Sequence, residues 1–371
     1  TSEIGTINWE KEKIELDKIS DLYEKRRDTE SHIKRDAIYH QIDSISGVSA
    51  TYAVANEYDK MISSLGAKGT NAYTFLEQTV YVNDIPANEL EKWLAIESER
   101  FSELVLRLFH TELETVYEEF NRAQDNDWRL SWYTMMKNLF KKHPYGTQTT
   151  IGTSEHLKNP SMEKIHEYFN TYYVPNNMAI ILSGDIEPDY TISLIEQYFG
   201  DFVSKKIPSF SAVNEDPIVN PEVVNVVGSD SEWVDVGFRL RGVDSEDIYM
   251  LPLINDLLSN GKAGLIDLNL VKSQKILRGS SDYMIFKDYS YFILDGEPRE
   301  GQTLEEVRNL LLLQLEKIKS GEFEDWMISA VIKNNKLNDQ ISNQYNDYRV
   351  SKMTNAFILD QDWDEIVDSN N

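Results

Sequence analysis

The chain has 371 residues and a formal net charge of −26, so its surface would repel the phosphate backbone of nucleic acids and anionic membranes. It contains no cysteine, which excludes disulfides, thiolate zinc sites and cysteine nucleophiles and leaves His, Asp and Glu as metal ligands. No apolar run reaches the roughly 18 residues that span a bilayer, and the opening residues are not a signal peptide. We therefore expect a globular protein without a membrane span.

Apolar residues at helical spacing predict one or two amphipathic helices over residues 9–46 and a short helix over 58–65. A glycine turn follows and leads into the β-rich residues 70–82, which we interpret as one extended, bulged strand. Pro86 opens a helical pattern that continues to about residue 126. The first half of the chain is thus predicted to be helix, strand region and long helix.

Prolines and glycines separate the remaining predicted elements. Residues 205–221 hold three prolines among Ser and Asn, a composition typical of a linker. Other predicted elements are a loop at 143–146, strands at 178–182, 222–227 and 233–240, helices at 188–199, 249–258 and 265–273, a hairpin at 283–294, and a helix that begins with a capping box at Thr303 and Glu306.

The order short helix, glycine turn, strand region and long helix occurs around residues 58–126 and again around 265–335. This recurrence indicates a diverged internal duplication. We therefore expect an α+β fold of two related domains, each a mostly antiparallel sheet with helices packed on one face. The predicted boundaries are 1–205 for the first domain, 206–221 for the linker and 222–371 for the second domain.

The predicted helix over residues 90–120 carries an apolar stripe, and glutamates occupy the positions that would continue it. At about 100° per residue, the next positions in phase with that stripe are Glu112 and Glu119, whereas Glu114 and Glu118 project to the opposite side. A buried carboxylate is costly unless it is paired or bound to a metal. Spacing alone leaves three interpretations open: a buried salt bridge, a stripe that reaches solvent at the helix end, and a metal ligand with an accompanying carboxylate.

Four segments occur in this order along the chain: Gly69–Thr74, Glu112–Glu119, His143–Thr147 and Asn177–Asp185. Together they resemble the pitrilysin/insulysin family of zinc peptidases. The resemblance is strong over residues 1–205 and looser over 215–371. In that family an H-x-x-E-H helix supplies two zinc ligands and a later helix supplies a glutamate. The resemblance implies that Glu119 is this zinc ligand and that Glu112 is the accompanying carboxylate of the catalytic site.

The same resemblance implies a substrate-binding strand edge at Asn71, Ala72 and Tyr73, where the family adds the peptide substrate as a further strand. The simpler alternatives are that Asn71 is a turn residue and that Ala72 is small for packing. Both alternatives stay open at the level of sequence.

The histidines depart from the family pattern. None of His32, His40, His110, His143, His156 and His166 forms a pair at H-x-x-E-H or H-E-x-x-H spacing. We interpret His143 as structural and the others as surface or helix-terminal residues. Because Gly5-Thr6 and the charged helix after it resemble the region just past the family motif, we expect a fragment cut downstream of that motif. A naturally noncatalytic homologue is the alternative.

For the complete protein, the resemblance implies zinc-dependent hydrolysis of peptides or unfolded polypeptides between two related halves, the second in the same polypeptide or in a partner subunit. With one ligand, this chain is expected to be inactive alone. Two alternatives stand beside this prediction: a noncatalytic subunit of the same fold, and a peptide- or solute-binding envelope protein whose acidic stripe is a salt bridge. The compartment is open between periplasm and cytoplasm, with a slight preference for the periplasm.

Overall fold

A computed structural model describes residues 1–368, which fold into helices and antiparallel strands. The helices, in chain order, are α1 (Trp9–Arg27), α2 (His32–Ala50), α3 (Glu57–Ser64), α4 (Leu90–Ser102), α5 (Phe109–Gln124), α6 (Asp127–Leu139), α7 (Pro144–Thr147), α8 (Ser154–Lys158), α9 (Met162–Tyr172), α10 (Pro188–Phe199), α11 (Leu251–Leu258), α12 (Leu304–Ser320), α13 (Trp326–Ser342), α14 (Asn346–Ile358) and α15 (Trp363–Asp368). The strands are β1 (Lys68–Thr74), β2 (Thr79–Asp84), β3 (Val234–Arg241), β4 (Arg278–Ile285) and β5 (Tyr289–Glu297). Every pairing between these strands is antiparallel, which confirms the predicted α+β class.

The chain divides into two compact units. The first unit contains Thr1–Asp125 and Thr149–Ser211, and the second contains Asn126–Gln148 and the chain from Ala212 onward. Residues 126–148, which lie inside the predicted first domain, therefore belong to the second unit by their contacts. The domain boundaries at 205 and 222 stay a prediction, and residues 369–371 of the predicted second domain lie outside the described residues.

The core of the first unit is built by α1, α2 and α9. Apolar side chains spaced three or four residues apart on these helices pack together, as the amphipathic pattern predicts. The buried set is Leu16, Ile19, Tyr23, Ile38, Ile42 and Met162. A second cluster joins α4 to α10 through Leu90, Leu94 and Leu194. The helix predicted over 188–199 is confirmed as α10.

Residues 70–82 form a hairpin rather than one extended strand. β1 pairs with β2, with Asn71 opposite Val82, and the register shifts between Lys68 and Asn71. The N–H of Phe75 donates to the carbonyl of Gln78 at 2.8 Å and closes the turn. The polar residues before Thr79 thus reverse the chain, and the single-strand prediction is wrong.

The long helix predicted over 86–126 is also wrong, because the chain leaves the helix between α4 and α5. Leu108 has a φ of 56°, a left-handed conformation that ends helical hydrogen bonding. The break is held by tertiary contacts: Val105 and Leu106 pack against the α1 and α2 core, and Arg107 bonds to the buried Glu12. Nothing in the helical period signals these contacts.

The second unit is built on a three-stranded sheet in the order β3-β5-β4. Side chains of β5 alternate between its faces, so that Phe292 and Leu294 pack on α11 and α12. The hairpin predicted over 283–294 is confirmed, and the capping box at Thr303 and Glu306 forms both of its hydrogen bonds. The order helix, hairpin, helix thus occurs in each unit, and in the second unit the helix before the hairpin is a π-helix over Asp267–Val271.

Two predicted strands are not formed in the described chain. Residues 178–182 and 222–227 carry apolar side chains but pair with no neighbouring strand there. In the second segment Val223 is 79% and Val227 is 90% exposed. β-propensity indicates that such residues suit a pleated surface, but a strand also needs a partner, which local sequence does not specify.

Candidate functional site

Helix α5 presents Glu112 and Glu119 to solvent, so the prediction that they lie on a buried face is wrong. The inner face of α5 carries His110, Leu113 and Tyr117, and the two glutamates lie on the opposite side. Because the helix begins anew at Phe109, the apolar stripe of α4 does not continue in phase into α5. The glutamates still share one face, since a separation of seven residues is close to two helical turns.

The outer face of α5 is strongly acidic. Residues 111–120 contain four glutamates, Glu112, Glu114, Glu118 and Glu119, and no lysine or arginine. All four are exposed, and within the described chain none of them forms a salt bridge. The buried-salt-bridge interpretation of Glu112 and Glu119 therefore finds no support, whereas the interpretation of a stripe that reaches solvent agrees with their exposure.

The described residues do not complete a metal site. Among residues 1–368 there is no group of three or more His, Asp or Glu side chains placed to hold a metal ion. A tetrahedral zinc site needs three protein ligands or four. The donor set present here does not fit zinc by itself, and we assign this chain no step that passes through the metal.

Two of the histidines are buried and form hydrogen bonds through their ring nitrogens. His110 lies in the first turn of α5, as the helix-terminal expectation has it, but it is buried, and its Nδ1 lies 2.8 Å from the hydroxyl of Tyr23. His143 Nε2 lies 3.1 Å from a carboxylate oxygen of Asp288, and His143 Nδ1 accepts the backbone N–H of Tyr145. His143 is 1% exposed, which agrees with the structural role predicted for it.

The predicted substrate-binding residues lie on an open strand. All seven residues of β1 are exposed, and β2 is its partner on one edge within the described chain. Asn71 lies inside the strand rather than in a turn, and its side-chain oxygen accepts the N–H of Ala72 at 2.9 Å. Because Ala72 is exposed, the packing interpretation of this small residue also fails.

A buried polar network behind the hairpin was missed from sequence. Glu97 in α4 is 4% exposed and accepts hydrogen bonds from Tyr58 at 2.7 Å and from Arg100 at 3.4 Å. Burial, together with the hydrogen bond to Glu97, raises the pKa of Tyr58 to about 12. Asn83 of β2 donates to the same Tyr58 oxygen at 3.2 Å, so the network ties the hairpin to α3 and α4. The one sequence signal is a glutamate inside an otherwise apolar helix face.

Comparison with known proteins identifies relatives of the whole chain. Residues 161–335 match the family described as the peptidase M16 inactive domain. The zinc protease PqqE of Helicobacter pylori is 24% identical over 342 residues, which cover 90% of this chain and 76% of that protein. The chain is thus similar to M16 peptidases. This is the pitrilysin/insulysin family that the four motifs resemble, so the resemblance predicted from sequence is confirmed.

Other M16 relatives are longer than the region they share with the chain. The probable zinc protease PqqL of Escherichia coli is 26% identical over 165 residues, which cover 41% of this chain and 17% of that protein. The uncharacterized zinc protease YmfH of Bacillus subtilis is 27% identical over 135 residues, which cover 35% of this chain and 30% of that protein. The chain thus spans about three quarters of one M16 relative and less than a third of others.

Solved protease structures share the fold. A crystal structure of a protease from Helicobacter pylori has a TM-score of 0.73 at 22% identity and covers 85% of this chain and 78% of that chain. The first half of the periplasmic protease PqqL from Escherichia coli has a TM-score of 0.63 at 19% identity, with 82% of this chain and 69% of that chain covered. At these identities the structures support the fold alone.

These findings agree with the prediction that the chain is part of an M16 peptidase and is noncatalytic by itself. Several relatives are named zinc proteases, and the matched region is the inactive domain of the family. Zinc is therefore supported as a metal of the family, while no metal site is shown among residues 1–368. Among the described residues, no helix is long and apolar enough to cross a membrane.

Proposed function

We propose that this M16 chain is the peptide-binding half of a zinc-dependent peptidase that acts on peptides or unfolded polypeptides. The observation that supports the proposal most is the open edge of β1. Its seven residues are exposed, and β2 covers one edge within the described chain. An extended peptide can add to such an edge through main-chain hydrogen bonds, as the unpaired N–H and C=O groups of an edge strand permit.

Ala72 is the central residue of the proposed peptide-binding edge. Its N–H is engaged by the side chain of Asn71 at 2.9 Å, a bond that does not belong to the ladder with β2. This N–H is therefore available to an incoming peptide once the Asn71 side chain rotates away. Tyr73, which is 43% exposed beside it, offers an aromatic surface to the peptide side chains.

We further propose that Glu119 is a zinc ligand and that Glu112 is the accompanying carboxylate of the catalytic site in the complete protein. Both lie on the solvent side of α5, where histidines from another segment or a partner subunit can approach them. Carboxylate oxygen is a normal zinc ligand, and a neighbouring carboxylate orients the ligands around the metal. A second half-molecule that supplies the other ligands is part of this proposal, as is a periplasmic location like that of the E. coli relative.

A noncatalytic, peptide-binding subunit of the same fold is a second candidate function. The match to the inactive domain of the family favours it, as does the incomplete donor set in the described chain. Under this proposal the β1 edge still binds peptide, but Glu112 and Glu119 hold no metal. Peptide binding and zinc content therefore separate the two candidates.

The proposed peptide edge is tested by Ala72→Pro. Proline removes the N–H and places a ring on the open edge, so we expect about tenfold weaker binding of a labelled unfolded peptide, measured by fluorescence anisotropy. Ala212→Pro is the matched control, because Ala212 is exposed and lies outside helices and strands. Equal affinity of Ala72→Pro and Ala212→Pro would remove β1 from the binding site.

The proposed zinc ligand is tested in the complete protein that carries the H-x-x-E-H segment. We expect Glu119→Gln to abolish both the bound zinc, measured by elemental analysis, and the hydrolysis of a quenched fluorescent peptide. Glu118→Gln is the control, because it neutralises the adjacent exposed glutamate, which projects about 100° around the helix from Glu119. A Glu119→Gln protein with full zinc and activity contradicts the assignment. A native protein that binds peptide without zinc or hydrolysis establishes the noncatalytic candidate.

A further inference from the structure

The second unit contains a cavity that neither the peptide edge nor the α5 glutamates use. It has a volume of 590 Å³ and lies on the face of the β3-β5-β4 sheet opposite the α11 and α12 core. Ile293 and Asp295 of β5 point into it, while their neighbours Phe292 and Leu294 point to the core. The cavity is large enough for a long side chain and is open to solvent on one side.

Two carboxylates face each other across the sheet in this cavity. Asp235 of β3 is directly opposite Asp295 of β5 in the strand register. Like charges in this arrangement repel, because paired residues in antiparallel strands lie about 5 Å apart. Burial raises the pKa of the Asp295 carboxyl, and the negative charge of Asp235 adds to that effect. Such a pair is unfavourable unless one carboxyl is protonated or a positive group lies near it.

Among residues 1–368, no lysine or arginine forms a salt bridge with Asp235 or Asp295. Asp235 accepts hydrogen bonds from Ser131 at 2.7 Å and from the indole of Trp233 at 3.1 Å, and Asp295 accepts one from Ser280. These neutral donors orient the carboxylates, and the charge of Arg278 only partly offsets the rise in the pKa of the Asp295 carboxyl. Arg278, the arginine that lines the cavity, forms a salt bridge with Glu297 at 3.0 Å.

Two tryptophans of α6 form the aromatic wall of the cavity. Trp128 and Trp132 are one helical turn apart and both line it. The indole N–H of Trp132 donates to the hydroxyl of Tyr291 at 3.3 Å, which fixes the orientation of its ring. Trp128 is 66% exposed, and exposure of so large an apolar side chain to water is unfavourable. An aromatic face beside a carboxylate pair is an arrangement that attracts organic cations.

We propose that this cavity binds the guanidinium or ammonium group of a basic side chain in a peptide. The cation would lie against the indole rings and between the Asp235 and Asp295 carboxylates. The apolar stem of the basic side chain would contact Ile293. A divalent metal is disfavoured, because no group of three metal-binding side chains occurs among residues 1–368. The assignment of peptide as the source of the cation rests on the proposed function; the cation site itself does not.

The experiment measures binding to the 371-residue chain by tryptophan fluorescence, because both indoles are in the wall of the cavity. The probes are an arginine-containing heptapeptide, the same peptide with glutamine in place of arginine, and N-acetylarginine amide. We expect the arginine peptide to bind at least about tenfold more tightly than the glutamine peptide, and its affinity to fall as salt is raised. The small arginine amide should bind more weakly than the arginine peptide. If the amide binds and the arginine peptide does not, a peptide source for the cation is excluded.

Substitutions of cavity residues test whether the arginine peptide binds in the cavity. We expect Asp235→Asn/Asp295→Asn to weaken the arginine peptide about tenfold and to leave the glutamine peptide unchanged, and Trp128→Ala to act in the same direction. Asp325→Asn, which removes an exposed charge outside the cavity, is the matched control. Equal binding of the two peptides, or unchanged arginine binding in both site variants, overturns the proposal. None of these measurements needs zinc, hydrolysis or the β1 edge, so Ala72→Pro and Glu119→Gln can fail without affecting the outcome.

Discussion

Arg107 donates two hydrogen bonds to the buried carboxylate of Glu12, from Nε at 2.7 Å and from Nη2 at 3.0 Å. The Glu12 side chain is fully buried and that of Arg107 is 13% exposed. The same guanidinium donates to the backbone carbonyls of Thr1 and Ile4 at 3.0 and 3.3 Å. This contact joins α1 to the residue that precedes the left-handed Leu108, and so it holds the break between α4 and α5.

Removal of Glu12 should strongly destabilise the first unit. Glu12→Ala leaves the Arg107 charge without its partner in the interior, and we expect a loss of about 3–5 kcal/mol in the free energy of unfolding. Urea denaturation followed by circular dichroism measures it. Lys13→Ala, which removes an exposed salt bridge with Asp17, should have little effect. If Glu12→Ala unfolds at the urea concentration of the parent chain, the ion pair does not hold the break.

The Tyr58 hydroxyl should make stability depend on alkaline pH. Its pKa is raised from 10.0 to about 12, so it contributes stability that is present below pH 10 and is lost as the pH rises toward 12. We expect the free energy of unfolding to fall between these values and Tyr58→Phe to reduce the slope. Tyr190→Phe, at an exposed tyrosine, serves as the control. An identical slope in Tyr58→Phe would show that the Glu97 network does not depend on this hydroxyl.

A truncation in the core of the second unit should cost more than one on its surface. Leu294 in β5 is fully buried between the sheet and α12, and we expect Leu294→Ala to destabilise that unit by about 2–5 kcal/mol. Leu313→Ala removes the same atoms at a position that is 51% exposed. Thermal unfolding of the two variants should therefore differ clearly, and equal midpoints would contradict the packing described for β5.

The capping box should stabilise α12. The hydroxyl of Thr303 accepts the backbone N–H of Glu306, and the Glu306 carboxylate accepts the backbone N–H of Thr303. Thr303→Ala removes the first of these bonds, and we expect a loss of about 1 kcal/mol. Thr303→Ser retains the hydroxyl and should retain nearly all of the stability. Chemical denaturation of both variants measures the difference; a serine variant as unstable as the alanine variant would assign the effect to the lost methyl group.

The 371-residue chain alone should hold less than one equivalent of zinc. The described residues present no group of three metal-binding side chains, and a single carboxylate on a helix surface binds zinc weakly. Elemental analysis after dialysis against a trace of free zinc measures the stoichiometry. One tightly bound zinc per chain, lost in Glu119→Gln, would show that the site is completed within this chain.

The sequence by itself determined the features that depend on local pattern. Helical period located α1, α2 and α10, the capping box marked the start of α12, and the β-forming residues over 283–294 predicted the β4-β5 hairpin. Four short motifs in order, each weak alone, indicated the family to which the comparisons find the chain similar. These features were predicted correctly because they depend on hydrogen bonds between near neighbours and on the spacing of apolar residues, both of which are visible in the sequence.

Only the tertiary structure decided which way Glu112 and Glu119 face. The apolar period runs on without a visible break, and the interruption is produced by Arg107 reaching a carboxylate 95 residues away along the chain. The charge pair of Asp235 and Asp295 is likewise a product of strand register between residues 60 positions apart, which composition cannot show. Contacts of this kind depend on long-range packing, so the helical phase was predicted correctly within each helix and wrongly across the break.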